Sequence, residues 1–165
     1  MTPSVGSGRQ RPRRGRRYVA LLLLLIATPA GAQPRITETD ARAFVARQEQ
    51  AWNARRLEAW FAAFAPDATF TDQAYNGLKP PVPYGTSTLR AARTQIRKAP
   101  PSHETSRVFR VAVAPDGRSA QVTTSVGIRS GERRLCASRV QTLVSAGGAL
   151  KSKGQTDTYI RCRGR

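Results

Sequence analysis

Residues 103–163 consist almost entirely of alternating apolar and polar positions, interrupted by turn residues. Three turn signals divide this stretch, namely Pro115-Asp116-Gly117, Ser130-Gly131-Glu132 and Gly147-Gly148. Alternation with a period of two places one set of side chains on each face of a strand. The pattern predicts a meander of four long strands, and its apolar face needs a covering layer.

Residues 37–99 supply helices for that layer. A capping box at Thr37-x-x-Asp40 predicts the start of a first helix, and residues 53–55 predict its end. The face of this helix that should be buried carries five residues: Ala41, Phe44, Val45, Gln48 and Trp52. A second helix should bury Leu57, Trp60, Phe61 and Phe64 before Pro66 stops it.

A short strand over 68–72, which ends at Asp72, should follow the second helix. Residues 73–85 hold three prolines and two glycines, which predict a loop. Thr86 or Ser87 can cap a third helix with Leu89, Ala92 and Ile96 facing inward. Three helices followed by strands predict a single α+β domain over residues 33–165, with the helices on one face of a curved, mainly antiparallel sheet.

The N-terminus predicts export. Basic residues 9–17, the apolar run 18–27 and the small residues 30–32 form the three regions of a secretory signal peptide over residues 1–32. The expected location is therefore periplasmic or secreted, with no stable membrane insertion after cleavage. Of the 28 Lys and Arg, 6 lie in residues 1–32 and all 10 acids lie beyond, so residues 33–165 carry a net charge of +12. Such a charge favours anionic partners, although nucleic acid is not expected for an exported chain.

The two cysteines, Cys136 and Cys162, form an even set, which predicts a disulfide in an oxidising compartment. Antiparallel strands centred near Ala149 would place the two residues opposite each other. A tighter turn at Gly147-Gly148 would need a bulge to do the same.

Two stretches carry a resemblance to a known superfamily. "AWNARRLEAWFAAFAPDATFTD" (51–72) and "SHETSRVFRVAVAPDGRSAQVTTSV" (102–126) resemble the nuclear transport factor 2-like superfamily, which includes SnoaL-like polyketide cyclases and ketosteroid isomerase. The resemblance spans roughly residues 37–162. It implies a cone with an apolar pocket between helices and sheet, and it leaves function open because this fold serves many functions.

The resemblance implies roles for particular residues. Asp72 matches the general base of ketosteroid isomerase, and Gln48 matches its oxyanion tyrosine. An amide is a weaker donor than a phenol, and no residue matches the second, protonated Asp, so steroid isomerisation is not expected. SnoaL-like members often place a pocket histidine at His103, and strand parity gives His103, Arg107 and Phe109 the same inward direction.

The candidate site therefore pairs Asp72 and His103 as acid–base residues. Eight further residues are expected to line the pocket or bind ligand: Gln48, Trp52, Trp60, Phe64, Phe70, Tyr84, Arg107 and Phe109. One histidine among scattered acids predicts no metal site, and we expect no cofactor.

Three functions remain open from sequence, and the missing oxyanion tyrosine favours the first over the second. The first is an exported module that binds a small organic ligand, which could be acidic. The second is a proton-transfer enzyme of the cyclase, isomerase or dehydratase type. The third is an interaction module that forms a homodimer through its sheet, which is compatible with either of the others.

Overall fold

The structure is a computed structural model, and it describes residues 35–75, 77 and 79–162. The predicted signal peptide over residues 1–32 lies outside the described residues. Among the described helices, none combines the length and the apolar character needed to cross a bilayer.

In the described part of the chain, three helices precede or interrupt the strands. Helix α1 spans Glu38–Asn53, α2 spans Leu57–Ala62 and α3 spans Leu89–Lys98. The predicted capping box of α1 is confirmed, because the Thr37 side chain accepts from the Asp40 backbone N–H while the Asp40 side chain accepts from the Thr37 N–H. These reciprocal bonds satisfy two backbone donors at the helix start.

Six strands form one sheet in the described part of the chain. They are β1 (Phe64–Ala74), β2 (Val82–Thr88), β3 (His103–Val113), β4 (Ser119–Ser130), β5 (Arg133–Ala146) and β6 (Ala149–Ile160). Their order across the sheet is β2-β1-β6-β5-β4-β3. Only β1 and β6 pair in parallel, so the predicted α+β fold with a mainly antiparallel sheet is confirmed in this mixed form.

The region between α2 and α3 differs from the sequence prediction. Strand β1 begins at Phe64, so Pro66 lies within a strand rather than at the end of a helix. Residues 82–88, which were partly assigned to a loop, form β2 and pair with β1. The side chain of Thr88, rather than Thr86 or Ser87, caps α3 by accepting from the Ala91 N–H at 3.3 Å. The prolines before β2 hid this edge strand, where the absence of a backbone donor is tolerated.

Two apolar clusters support the fold. One lies under α1 and joins Phe44, Val45, Val122 and Leu143. The other surrounds α2, and its buried members are Ala51, Trp60, Phe61, Phe64, Ala68 and Leu89.

A glycine allows β6 to pass close to β1. A Cβ added at Gly154 would lie 2.8 Å from the Thr69 carbonyl oxygen. Any larger residue would therefore push apart the two parallel strands. The residues that follow this close approach, Gln155, Asp157 and Tyr159, face the helices.

The last two strands are joined by the predicted Cys136–Cys162 disulfide, with the Cα atoms 5.2 Å apart. The turn is the tight one at Gly147-Gly148, and a register shift between Thr142 and Leu143 brings Cys136 opposite Ile160. The shift moves the partner of Cys136 by one residue, so the two cysteines are not directly opposite as predicted, and the disulfide joins Cys136 to a residue two positions beyond Ile160.

Candidate functional site

A cavity of about 200 Å³ lies between the three helices and the inward face of the sheet. Helices α1, α2 and α3 contribute Trp52, Trp60 and Ile96, while the sheet contributes most of the polar groups. The polar and ionisable residues that line it include Asp72, Glu104, Arg139, Gln155, Asp157 and Tyr159. The helices thus contribute both tryptophan rings, and the sheet contributes Phe70 and the ionisable groups.

The aromatic side is an edge-packed cluster. The ring centroids of Trp52 and Trp60 lie 5.1 Å apart, and those of Trp60 and Phe70 lie 6.1 Å apart. The Trp52 indole N–H donates to the Ser102 hydroxyl at 3.2 Å, which fixes the orientation of that ring. The predicted lining by Trp52, Trp60 and Phe70 is present in the structure.

The ionic side is centred on Arg139, which is buried between two carboxylates. Its Nε and Nη2 atoms donate to Asp157 at 2.7 and 3.0 Å, and its Nη1 and Nη2 atoms donate to Glu104 at 2.9 and 3.2 Å. These bonds use four of the five guanidinium N–H donors. Arg139 is therefore engaged by the protein and has little capacity left for an anionic ligand.

Opposing effects act on the Arg139 pKa. Burial alone would lower it, but the charges of Asp157 and Glu104 and their hydrogen bonds raise the Arg139 pKa well above its ordinary value. The guanidinium stays charged, so this cluster of three groups carries a net charge of −1 when both carboxylates are ionised.

A further carboxylate lies beside this cluster. Asp72 on β1 pairs in parallel register with Asp157 on β6, so the two side chains are neighbours on one face. Burial and then the charge of Asp157 raise the Asp72 pKa, while a hydrogen bond with Tyr159 and the charge of Arg139 oppose the rise. Burial and the charges of Asp72 and Asp157 also raise the Tyr159 pKa. Asp72 thus binds a proton more readily than a solvated aspartate does.

Gln155 adds an acceptor to the same wall. Its Nε2 donates to Asp157 Oδ2 at 3.0 Å, and this bond fixes the amide orientation because only the N–H side can face a carboxylate. Its Oε1 atom is buried and has no hydrogen-bond partner among the described residues. Gln155 is one of the residues that line the cavity, so an acceptor without a partner lies in the cavity wall.

The predicted direction of His103, Arg107 and Phe109 is wrong. On strand β3 the side chains of Glu104, Ser106 and Val108 face the helices. The side chains of His103, Arg107 and Phe109 are exposed, and Phe109 is 60% exposed. A register shift between Val108 and Arg110 inserts one extra residue. The prediction for residues 103–107 rests on the apolar alternation of residues 109–113, which lie at and beyond this bulge. A bulge reverses which face each side chain occupies, so the alternation does not carry over to residues 103–107.

The three exposed residues lie outside the Asp72 cavity. His103 lies opposite Arg129 along a shallow groove on the outer side of the sheet. Arg107 borders an open cleft against α1. His103 is therefore not in position to form an acid–base pair with Asp72.

Gln48 is buried, as its helical phase predicts, but it does not reach the cavity. Its Oε1 accepts from Gln141 Nε2 at 2.9 Å, and Gln141 lies two residues beyond Arg139 on β5. The predicted convergence of Gln48 with Asp72 is therefore wrong, because the hydrogen bond with Gln141 holds the Gln48 side chain outside the cavity.

Phe64 and Tyr84 lie next to the cavity without lining it. Phe64 is buried in the apolar cluster, with its ring centroid 4.7 Å from those of Trp60 and Phe70. Tyr84 lies at the β2 register shift, exposed, with its ring centroid 6.4 Å from that of Tyr159. Burial and the charge of Asp72 raise the Tyr84 pKa, so the charge of the site influences the Tyr84 hydroxyl.

Sequence reasoning missed five residues of the wall: Glu104, Arg139, Gln155, Asp157 and Tyr159. The stretch "GQTDTYI" gave no sign of three of them, because residues 155–159 are all polar or hydroxylated and do not distinguish the two faces of the strand. Arg139, by contrast, shares a parity with the buried residues Ala137 and Leu143. A charge on an inward strand position requires a buried partner, and the acids of β3 and β6 supply it.

Within the described ranges, no group of His, Cys, Asp and Glu side chains is arranged to hold a metal ion. The expectation that the protein uses no metal or cofactor stays a prediction.

Solved structures with a similar fold identify the architecture. The β subunit of benzoate 1,2-dioxygenase from Burkholderia mallei matches with a TM-score of 0.56 and 14% identity over 77% of this chain and 93% of that one. An NTF-2 like protein of unknown function from Shewanella oneidensis matches with a TM-score of 0.58 and 12% identity over 73% and 97%. A ketosteroid isomerase-like protein from Erwinia carotovora atroseptica matches with a TM-score of 0.53 and 11% identity over 73% and 94%.

The chain therefore has the nuclear transport factor 2-like cone fold that its sequence resembles. No protein-family model matches the chain, and no curated protein does. At these identities the similarity defines the fold, so the function must be argued from the site.

Proposed function

We propose that the domain is a proton-transfer enzyme in which Asp72 acts as the general base on a small organic molecule held in the cavity. The observation that supports this most is the placement of Asp72: a carboxylate next to a second carboxylate, partly withdrawn from water, on a cavity with an aromatic wall. Such surroundings bring a carboxylate pKa closer to neutrality, where proton transfer is most efficient.

The cavity residues divide the work. Asp72 would remove a proton, and the Tyr159 hydroxyl would orient its carboxylate. Arg139 and Glu104 would hold Asp157 in place beside Asp72, so that its charge keeps the Asp72 pKa raised. The aromatic wall would hold the apolar part of the substrate and exclude water. Asp72 keeps the role predicted from sequence, whereas His103 has none in this scheme.

The charge of the site argues against an acidic ligand. Three carboxylates, those of Asp72, Glu104 and Asp157, face a single guanidinium. An anionic ligand would meet like charges in a partly desolvated site, and the donors that could bind it on Arg139 are largely used. A neutral or cationic molecule fits the site better than the acidic ligand considered from sequence.

Elimination of nitrobenzisoxazole tests the base directly, because this reaction requires only removal of a C–H proton and gives a coloured phenolate. The protein of residues 33–165 should accelerate this elimination. Asp72→Asn should lower kcat/KM by roughly a hundredfold or more, the usual contribution of a positioned base. The rate should rise with pH as Asp72 ionises, with a midpoint above the ordinary aspartate pKa of about 3.9.

Asp67→Asn is the matched control. It removes an exposed carboxylate from the same strand, one paired with Lys153 at 2.6 Å, and it should leave the rate unchanged. Equal rates for wild type and Asp72→Asn would reject Asp72 as the base. The domain would then be a binding module, the first of the functions left open by the sequence.

Export by way of residues 1–32 and a homodimer through the sheet stay proposals. The disulfide is compatible with a compartment outside the cytoplasm. N-terminal sequencing of the secreted form should find a start at or near Gln33.

A further inference from the structure

We infer that the ligand of the cavity is a small primary amine bound as its ammonium ion. This inference rests on the proposed function in taking the Asp72 cavity as the binding site, and it adds the chemical class of the molecule. Three features of the cavity support it: an excess of negative charge, a surplus of hydrogen-bond acceptors and an aromatic wall.

The charge count favours a cation. The ionisable groups that line the cavity are Asp72, Glu104, Asp157, Arg139 and Tyr159, and the Tyr159 phenol is neutral because its pKa is raised by burial and by the nearby carboxylates. With Asp72 ionised they sum to −2, and with Asp72 protonated they still sum to −1. Uncompensated charge is unfavourable away from water, so a ligand that supplies a positive charge stabilises the site.

The acceptor count favours a cation that carries N–H groups. Gln155 Oε1 is buried, at 9% exposure for the residue, and has no partner among the described residues. The Asp157 oxygens already accept from Arg139 and Gln155, and Asp72 offers a further carboxylate. An ammonium group has three donors and no acceptor, which matches a site of this composition. A quaternary ammonium would satisfy the charge but would leave Gln155 Oε1 unpaired.

The aromatic wall suits the rest of the ligand. The rings of Trp52, Trp60 and Phe70 line the cavity and can contact a short alkyl chain. Faces of tryptophan rings also attract cations. The cavity volume of about 200 Å³ suits a small molecule.

Binding of a cation should also change the protonation of Asp72. A positive charge next to this carboxylate favours its ionised form and so lowers its pKa. The ammonium ion should therefore displace the proton of Asp72, and affinity should increase as the pH rises through the Asp72 pKa. In this way the substrate would convert the base to its active, ionised form.

Fluorescence titration of the protein of residues 33–165 tests the inference. The two tryptophans of the chain, Trp52 and Trp60, both line the cavity, so their emission reports on occupancy. The probes are n-butylammonium, neutral n-butanol, anionic butyrate, and tetramethylammonium, which has a charge but no N–H. We expect n-butylammonium to bind at least roughly tenfold more tightly than n-butanol or tetramethylammonium, and butyrate to bind most weakly.

Two variants locate the effect. Asp72→Asn should weaken n-butylammonium by about tenfold or more and leave n-butanol unchanged, while Asp67→Asn should change neither. Gln155→Met should reduce the preference for n-butylammonium over tetramethylammonium. If Asp72→Asn fails to fold, the preference among the four probes and the rise of affinity with pH still decide the question on wild type.

Equal affinities for n-butylammonium and n-butanol would overturn the inference, and so would binding that does not depend on pH. Its failure can be told apart from failure of the proposed function. Loss of nitrobenzisoxazole elimination in Asp72→Asn without ammonium selectivity would keep the base and reject the amine. Ammonium selectivity without base activity would keep the amine and reject the enzyme.

Discussion

Asp72 shows how one strand pairing can set the chemistry of a single residue. Parallel register between β1 and β6 places its carboxylate beside that of Asp157, and both side chains face a partly desolvated cavity. Burial and this like charge disfavour ionisation of Asp72 and raise its pKa. The folded state is therefore less stable when Asp72 is ionised. This destabilisation lies at the site where the proposed function needs a proton acceptor.

The raised Asp72 pKa predicts a pH-dependent stability. A folded-state pKa above the unfolded value means that the folded state binds the proton more tightly, so stability is full at low pH and falls as pH rises through the folded pKa. Asp72→Asn removes this loss. We expect its Tm to exceed that of wild type at neutral pH, and the difference to disappear below about pH 4, where aspartate is protonated in both states.

Thermal unfolding followed by circular dichroism across this pH range measures the difference. Asp67→Asn serves as control with the opposite sign, because the hydrogen bond from Lys153 lowers the Asp67 pKa. A lower Tm for Asp72→Asn at neutral pH would mean that Asp72 stabilises the fold through its charge, contrary to the environment described here.

At the residue scale, the sequence predicted Asp72, Trp52, Trp60 and Phe70 on the cavity. Helical phase is a local signal, and it placed the two tryptophans correctly. Asp72 was placed by the family resemblance, and its strand continues to Ala74 instead of ending at Asp72 as predicted. The partners of Asp72 were missed because they come from strands far apart in the chain. Strand β5 supplies Arg139 and β6 supplies Asp157, and only the strand order brings them together.

At the element scale, α1 supports the site by covering the free edge of β3. The Asn53 side chain donates to the Glu104 carbonyl and accepts from the Glu104 N–H, both at 2.8 Å. Glu49 accepts from the Ser106 N–H at 2.8 Å, and Arg42 donates to the Val108 carbonyl at 3.2 Å. These bonds occupy backbone groups that an edge strand otherwise leaves unpaired. They also hold the backbone of Glu104, whose carboxylate binds Arg139.

We predict that Asn53→Ala destabilises the domain by about 1–3 kcal/mol, because it leaves a partly buried N–H and carbonyl of Glu104 unpaired. Arg42→Ala is the control on the same helix. Its exposed side chain makes a surface ion pair with Glu38 and a bond to the Val108 carbonyl, and it should contribute about 0–1 kcal/mol because both contacts are exposed to water. Urea unfolding measures both. Equal losses for the two variants would show that the hydrogen bonds of Asn53 carry no special weight.

The sequence predicted elements better than it predicted their boundaries. The four long strands and the capped first helix follow from clear periodicity and a capping motif. Strand β2 was missed because Pro80, Pro81 and Pro83 argue against a strand, yet an edge strand tolerates proline. The residue pattern does not indicate the bulge in β3. For this reason the predicted orientation of His103, Arg107 and Phe109 is wrong.

At the scale of the whole domain, charges of opposite sign occupy opposite faces of the sheet centre. Asp72, Glu104 and Asp157 face the cavity, whereas Arg107, Arg129 and Arg134 are exposed on strands β3, β4 and β5. The net charge of +12 over residues 33–165 therefore says nothing about the charge of the site. A homodimer through the sheet, which stays a prediction, would bring these arginines near those of the second copy and should depend on salt.

The disulfide stabilises the domain at the end of the same sheet. Cys136 and Cys162 are separated by 26 residues, and closing a loop of that size reduces the freedom of the unfolded chain. We predict that replacing both cysteines by serine lowers the free energy of unfolding by about 3 kcal/mol. The urea midpoint should fall, and the slope should rise because the unfolded chain without the bridge is less compact and exposes more surface. A reductant should shift wild type to the midpoint of the double variant and leave the double variant unchanged. A wild-type midpoint that does not respond to full reduction would show that the bridge forms without stabilising the fold.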